Sequence, residues 1–275
     1  MTPLNPIRQF IAGVTKANFA TLRVEKSGCG DSQGTPCEEI DLQTEMKAYE
    51  AALDYVQHRD GIDANSVFLF GHSMGGVFAP LLAAKHPVAG IIVYGTIGAP
   101  LQQYFADNDA RQLPMSGYNG AMLETQLKHS ADLIRLLFVE RLTPAQVTER
   151  RPELTALIRA RGGDDMHIFG RHYTFWYQLD DLKLPTPWEK VNAPVLALWG
   201  TSDFPATRAD HPFIADTVNA HQPGLAEFRE VAGTGHGFDL SPSMADSMRN
   251  GMQGEFNTLL VTMCADWMKA VPNKG

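Results

Sequence analysis

No stretch of this chain approaches the ~18 uninterrupted apolar residues of a membrane-spanning helix. The first residues also lack the apolar core of a secretory signal. Positive charge is in deficit: 23 Lys and Arg stand against 31 Asp and Glu, a net charge of −8. With no basic stripe to offset that balance, nucleic acid is excluded as a partner. Cysteine is scarce, and Cys29, Cys37 and Cys264 are too few for a dense disulfide framework. Cys29 and Cys37 would bridge a loop in an oxidising compartment, whereas Cys264 lies in an amphipathic stretch and reads as core. Metal-ligand spacing is absent too: Asp164-Asp165 with His167 and His172 fits no standard site. Gly28, Gly30 and Gly34 do not give G-x-G-x-x-G, and no helix starts directly after them, so a nucleotide is not expected. Neither cofactor nor metal is expected. The default location is cytoplasmic, with periplasmic or secreted following if a segment precedes this chain.

What the chain has in quantity is apolar residues. At 44% hydrophobic and 20% charged over 275 residues, it can bury a large core, as one α/β domain with an insertion or as two small domains. The stretch that organises it is Ser66 to Gly76. Val67 to Phe70 is a short apolar run suited to a strand buried on both faces of a parallel sheet. Gly71-His72-Ser73-Met74-Gly75 then fits G-x-S-x-G, and Val77 to Lys85 reads as a helix. A serine in so sharp a strand-to-helix turn sits at a strained backbone position, which the flanking Gly71 and Gly75 are expected to permit. His72 is expected to point away from Ser73.

Around that turn the periodicity alternates. Pro6 to Thr15 reads as a helix, Phe19 to Glu25 as a first strand, and Leu42 to Val56 as an amphipathic helix. Val88 to Gly95, Pro194 to Gly200 and Leu225 to Val231 read as further strands, with helices from about His211 to Ala220 and Gly254 to Ala270. Helix and strand in alternation imply a mostly parallel sheet with right-handed crossovers. Between Ala99 and Lys190 the alternation stops. Helical patterns replace it at Met122 to Arg141, from a Thr143-Pro144 start to about Arg161, and in the aromatic run Phe169 to Leu182. The expected organisation is therefore a core formed by residues 1–98 and 191–275, with residues 99–190 as a helical cap over the sheet's carboxyl edge. Most of the cap's aromatics read as packing, with one or two lining an apolar pocket.

A serine nucleophile needs a base to take its proton and an acid to orient that base. In open parallel sheets such groups gather in loops just beyond the carboxyl ends of strands. Asp203 follows the Pro194–Gly200 run, and His236, between Gly235 and Gly237, follows the Leu225–Val231 run. Asp239 is the rival acid, though three residues from the histidine is an awkward span. The chain order Ser73, Asp203, His236, the turn around Ser73 and the helical insert together resemble the α/β-hydrolase superfamily. Residues Arg23 to Ser32 are also similar to a loop of bacterial serine esterases and prolyl-oligopeptidase-like hydrolases, where it supports the nucleophile turn. Asp31 is read there as structural.

The resemblance implies an α/β-hydrolase fold and acyl transfer: Ser73 attacks a carbonyl, His236 acts as base, Asp203 orients it, and the backbone N–H of Met74 is one oxyanion donor. It implies a carboxylesterase acting on small or medium acyl esters, with a small-molecule ester as its partner. A peptidase, amidase or thioesterase of the same fold is the alternative, and a non-catalytic ligand-binding protein is the alternative of another class. The chain departs from the family at its start. The strand that normally lies beside the nucleophile strand, with the loop carrying the second oxyanion donor, is missing. Three outcomes are expected to fill that gap: flanking strands closing up, a preceding segment, or a homodimer that completes the sheet.

Overall fold

The computed structural model describes residues 5–272. In chain order the elements begin with helices α1 (Pro6–Lys16) and α2 (Leu42–Gln57), strand β1 (Phe68–His72), helix α3 (Gly75–Ala83) and strand β2 (Gly90–Tyr94). Helices α4 (Leu101–Met115), α5 (Gly120–Ile134), α6 (Pro144–Arg150) and α7 (Thr155–Ala160) follow. Next come the two-residue strands β3 (His167–Ile168) and β4 (Arg171–His172), then α8 (Tyr173–Asp181) and β5 (Val195–Gly200). The chain closes with α9 (Asp210–His221), β6 (Ala226–Val231), α10 (Met244–Arg249) and α11 (Leu259–Ala270). Two compact units result, one holding the chain up to Arg23, Ala52–Ala99 and the chain from Pro185, the other Val24–Ala51 and Pro100–Leu184.

The first unit is an α/β-hydrolase fold built on a sheet in the order β1-β2-β5-β6, with every pairing parallel. Its central strands β2 and β5 are buried and apolar on both faces, and the two-residue period sends alternate side chains to opposite layers. Ile92, Tyr94, Leu196 and Leu198 pack with Phe10 and Val14 of α1 and with Leu260, Cys264 and Trp267 of α11. Their neighbours Ile91, Val93, Val195 and Ala197 pack with Ala79 of α3 and with Ile214 and Val218 of α9. The Cys264 thiol, fully buried there, is pushed well above its ordinary range by loss of solvent.

The expected first strand, Phe19 to Glu25, does not form. Residues 17–26 carry no regular structure, and Leu22 is 53% exposed. A strand needs a ladder partner, but the chain crosses into the second unit here. There the Glu25 side chain accepts from the Asp31 N–H, and the Glu25 carbonyl accepts from the Ser32 hydroxyl. Flanking strands therefore do not close up: β1 ends the sheet, pairing with β2 alone among the described residues.

The second unit is helical around a nest of rings. Phe105 of α4 stacks on Phe169 at 4.2 Å between centroids and on Phe138 at 5.6 Å, and Trp176 of α8 meets it edge-on. A buried ion pair, Arg171 to Glu45 at 2.6 Å, lies beside them, its guanidinium 3.8 Å from the Phe175 ring centroid. The Thr143-Pro144 start forms as expected, with Thr143 and Gln146 capping each other reciprocally. The helix it opens stops short of Arg161. Pro152 forces Arg151 out of helical geometry (φ −137°, ψ 73°), so α6 and α7 are separate. The segment expected to hold no strand contains the short β3–β4 hairpin, turned by Phe169 and Gly170, both at positive φ.

Candidate active site

Ser73 directly follows β1 and has φ +54°, a left-handed backbone that costs a non-glycine residue about 1–2 kcal/mol. The surroundings over-determine it. The Ser73 N–H donates to Tyr94 O at 3.0 Å, and the Ser73 carbonyl accepts from the Gly76 N–H at 3.0 Å. The glycine requirement meets the five-residue pattern at only one of its two positions. A Cβ on Gly71 would lie 2.6 Å from the Gly75 carbonyl oxygen, and one on Gly76 would lie 2.2 Å from Thr96 Oγ1. A Cβ on Gly75 would meet nothing within 4 Å. The close approaches are thus made by Gly71, against the backbone that opens α3, and by Gly76, where α3 abuts the loop after β2.

The acid and the histidine come from the loops after β5 and β6. Asp203 is fully buried and its carboxylate faces His236 Nδ1 at 3.0 and 3.1 Å. A carboxylate only accepts, so Nδ1 carries the proton and Nε2 keeps its lone pair for a reacting group. Asp203 is itself fixed: its Oδ1 accepts from the Ala206 N–H at 2.8 Å, and its own N–H donates to Gly200 O. The rival acid Asp239 is equally buried, but its Oδ2 accepts from the Ser241 and Ser247 hydroxyls. It serves the loop that carries His236.

The structure brings Asp203 and His236 into contact, while Ser73 is anchored to the end of β2, whose next residue, Gly95, abuts that pair. Gly95 follows Tyr94, the acceptor of the Ser73 N–H, and has φ +58°. A Cβ on Gly95 would stand 2.5 Å from Asp203 Oδ2 and 2.9 Å from His236 Nδ1. Among the described residues no hydrogen bond joins the Ser73 hydroxyl to His236. Met74 caps the amino end of α3 in helical geometry, where backbone N–H groups lack intrahelical partners.

Several residues around this centre escape a reading of motifs. The His72 ring bonds through Nε2 to the His236 carbonyl at 2.9 Å, which makes Nε2 the protonated nitrogen. Burial, and then His236 beside it, push the His72 ring down to about 3, so it stays neutral. Tyr94 donates from its hydroxyl to Gly235 O at 2.8 Å and steadies the same loop. On the other flank, fully buried His211 accepts from the Thr96 N–H through Nε2 and donates through Nδ1 to Thr207 O. Burial lowers its affinity for a proton. Asp210 Oδ1 accepts from the N–H groups of Gly98 and Ala99, which pins the loop after β2. The signal in the sequence for these residues was their place, at or just beyond strand ends or at the start of α9.

In the second unit, Asp164 accepts from the N–H groups of Met166 and His167 and from the His167 ring. Those bonds, led by Met166, lower its pKa to about 2. It is a turn residue. Among the described residues no three His, Cys, Asp or Glu side chains are grouped to hold a metal ion, and no helix is long and apolar enough to cross a membrane.

The fold has relatives. A monoacylglycerol lipase of Paleococcus ferrophilus superposes with a TM-score of 0.54 at 15% identity, over 96% of this chain and 88% of that one. A thermophilic esterase of Thermogutta terrifontis gives 0.51 at 17% identity, over 98% and 88%. At such identities the likeness is one of fold. The quorum-quenching protein AidA of Acinetobacter baumannii (strain MDR-ZJ06) is 38% identical over 58 residues, which is 21% of this chain and only 19% of that protein's length. Residues 5–246, most of the sequence, match the Alpha/beta hydrolase family, and the chain belongs to that family.

Proposed function

We propose that this protein is a serine hydrolase that cleaves carboxylic esters of small or medium acyl chains, with Ser73 as nucleophile, His236 as base and Asp203 as its orienting acid. The observation that carries this reading is the buried Asp203–His236 pair at 3.0 Å, which abuts Gly95 at the end of the strand whose Tyr94 carbonyl anchors a serine held at φ +54°. His236 Nε2 takes the Ser73 proton as Oγ attacks the ester carbonyl, and the imidazolium then protonates the departing alcohol. Water, deprotonated by the same nitrogen, hydrolyses the acyl-enzyme. The Met74 N–H bonds the oxyanion, an interaction worth about 2.7–4 kcal/mol of transition-state stabilisation.

Labelling with a fluorophosphonate tests the nucleophile, and turnover of p-nitrophenyl esters of graded chain length tests the substrate class. Wild type is expected to label and to turn over, and Ser73→Ala to do neither. An unlabelled wild type would overturn the enzyme reading, and a labelled Ser73→Ala would overturn the residue assignment.

A further inference from the structure

The segment from Lys26 to Cys37 in the second unit folds back on itself. The Ser27 hydroxyl donates to Thr35 O at 2.7 Å, and the Cys29 N–H donates to Lys26 O at 3.0 Å. Gly28 lies so close to the returning chain that a Cβ there would stand 2.8 Å from the Pro36 Cα. Beyond the loop the chain is tied down: the Glu38 carbonyl accepts from the His172 N–H at 2.8 Å, and the Ile40 carbonyl accepts from the Arg171 guanidinium. This folding brings two thiols together. Cys29 Sγ and Cys37 Sγ are 3.5 Å apart, and both residues are half-buried, within reach of a small solute.

From this geometry we propose that Cys29 and Cys37 form a reversible dithiol–disulfide site, whose co-reactant is a small-molecule disulfide. The thiolate of one cysteine attacks a sulfur of the reagent, a mixed disulfide forms, and one reagent thiolate leaves. The second cysteine, as thiolate, then attacks the protein sulfur of that mixed disulfide and expels nothing but the other reagent thiolate. Two protein thiols are oxidised, one reagent disulfide is reduced to two thiols, and the two protons pass to the released thiolates. Burial, and then the hydrogen bond to Cys29, hold the Cys37 thiol in its protonated form. Closing the loop moves the sulfurs by about 1.5 Å to the ~2 Å of a bond, a motion that an exposed nine-residue loop accommodates. Cys264 supplies an internal control, being fully buried in α11 far from any such partner in the sequence.

The test equilibrates the full, folded chain in oxidised and in reduced glutathione, followed by intact mass and peptide mapping without reductant. The expected result is a loss of two hydrogen atoms, a peptide linking Cys29 to Cys37, an unmodified Cys264, and full reversal by dithiothreitol. The bond should raise the melting midpoint by about 5 °C, because it closes a loop in the unfolded chain. Cys29→Ser and Cys37→Ser should instead stop at a mixed disulfide with glutathione on the remaining thiol, with no such rise. Wild type that keeps both thiols free, or halts at mixed disulfides, would overturn the proposal. Equal melting midpoints in the two buffers would overturn the bracing of the loop.

Discussion

Gly95→Ala is the substitution that probes the candidate site most directly, because it touches the Asp203–His236 pair without removing any group proposed to react. Two costs follow from the structure and can be separated. The first is backbone strain: φ is +58°, and an L side chain pays about 1–2 kcal/mol to stand there. The second is a wedge. The new Cβ would lie 2.5 Å from Asp203 Oδ2, where real Cβ contacts do not fall below 3.0 Å, so the carboxylate must retreat by at least 0.5 Å (3.0 − 2.5). His236 Nδ1, 2.9 Å from the same Cβ, is pressed as well. The contacts at 3.0 and 3.1 Å then lengthen beyond hydrogen-bonding range or bend. A displacement of this order in a catalytic group costs roughly 10²- to 10³-fold in kcat/KM. Gly224→Ala isolates the first cost, since Gly224 has φ +81° with nothing within 4 Å of a Cβ. Both variants should lose melting midpoint, Gly95→Ala the more because it carries the wedge as well as the strain, and only Gly95→Ala should lose esterase turnover. Hydrolysis of a p-nitrophenyl ester by Gly95→Ala within about twofold of wild type would refute the reasoning.

Two further predictions separate neighbouring roles. Asp203→Asn should lower kcat/KM roughly 10³- to 10⁴-fold while Asp239→Asn stays within a few-fold, because Asp239 holds Ser241 and Ser247 rather than the imidazole. The reverse ranking in ester turnover would make Asp239 the acid. His72 should leave a mark on acid stability: its ring titrates near 3 when folded and near 6.5 when unfolded, so the unfolded chain holds the extra proton between those values. The stability gained from a neutral His72 is therefore complete above pH 6.5 and is lost as pH falls toward 3, by at most about 1.4 kcal/mol per pH unit. His72→Gln keeps an N–H for the His236 carbonyl and removes the titration, so urea unfolding from pH 6.5 to 4.5 should show a flatter decline, and an unchanged slope would refute the assignment.

The centre of the parallel sheet was legible because its two inner strands are apolar on both faces, and the runs Val88 to Gly95 and Pro194 to Gly200 each became a strand. Phe19 to Glu25 failed, although it is no more polar than the Leu225 to Val231 run that became β6. Composition reports that a segment suits a ladder; whether a partner strand lies beside it is a non-local fact. Helix ends were legible where local chemistry sets them, as at Thr143-Pro144, and misread where Pro152 interrupts a continuous apolar pattern. Helix α4, with Pro114 near its end and buried positions only at Leu101, Phe105 and Asn108, offered too sparse a stripe to be found.

At the candidate site the same division holds, and the glycines show where it falls. The pattern around Ser73 suggested that Gly71 and Gly75 make the turn possible, yet the crowded positions are Gly71 and Gly76, because Thr96 comes from a different strand's loop. Gly95 and Gly200 carry the same crowding at the carboxyl ends of β2 and β5: a Cβ on Gly95 would strike Asp203, and one on Gly200 would lie 2.1 Å from the Tyr94 hydroxyl. Gly71, Gly95 and Gly200 each ended or followed an apolar run and were visible in the sequence near a strand end, whereas Gly76 lies inside α3. None was visible as a contact. The carboxyl edge of the sheet is where Asp203 and His236 meet and where Ser73 follows β1. A glycine there is required when the backbone it belongs to must pass within contact distance of a neighbouring loop. That requirement is set by the register β1-β2-β5-β6, and becomes readable only once the register is known.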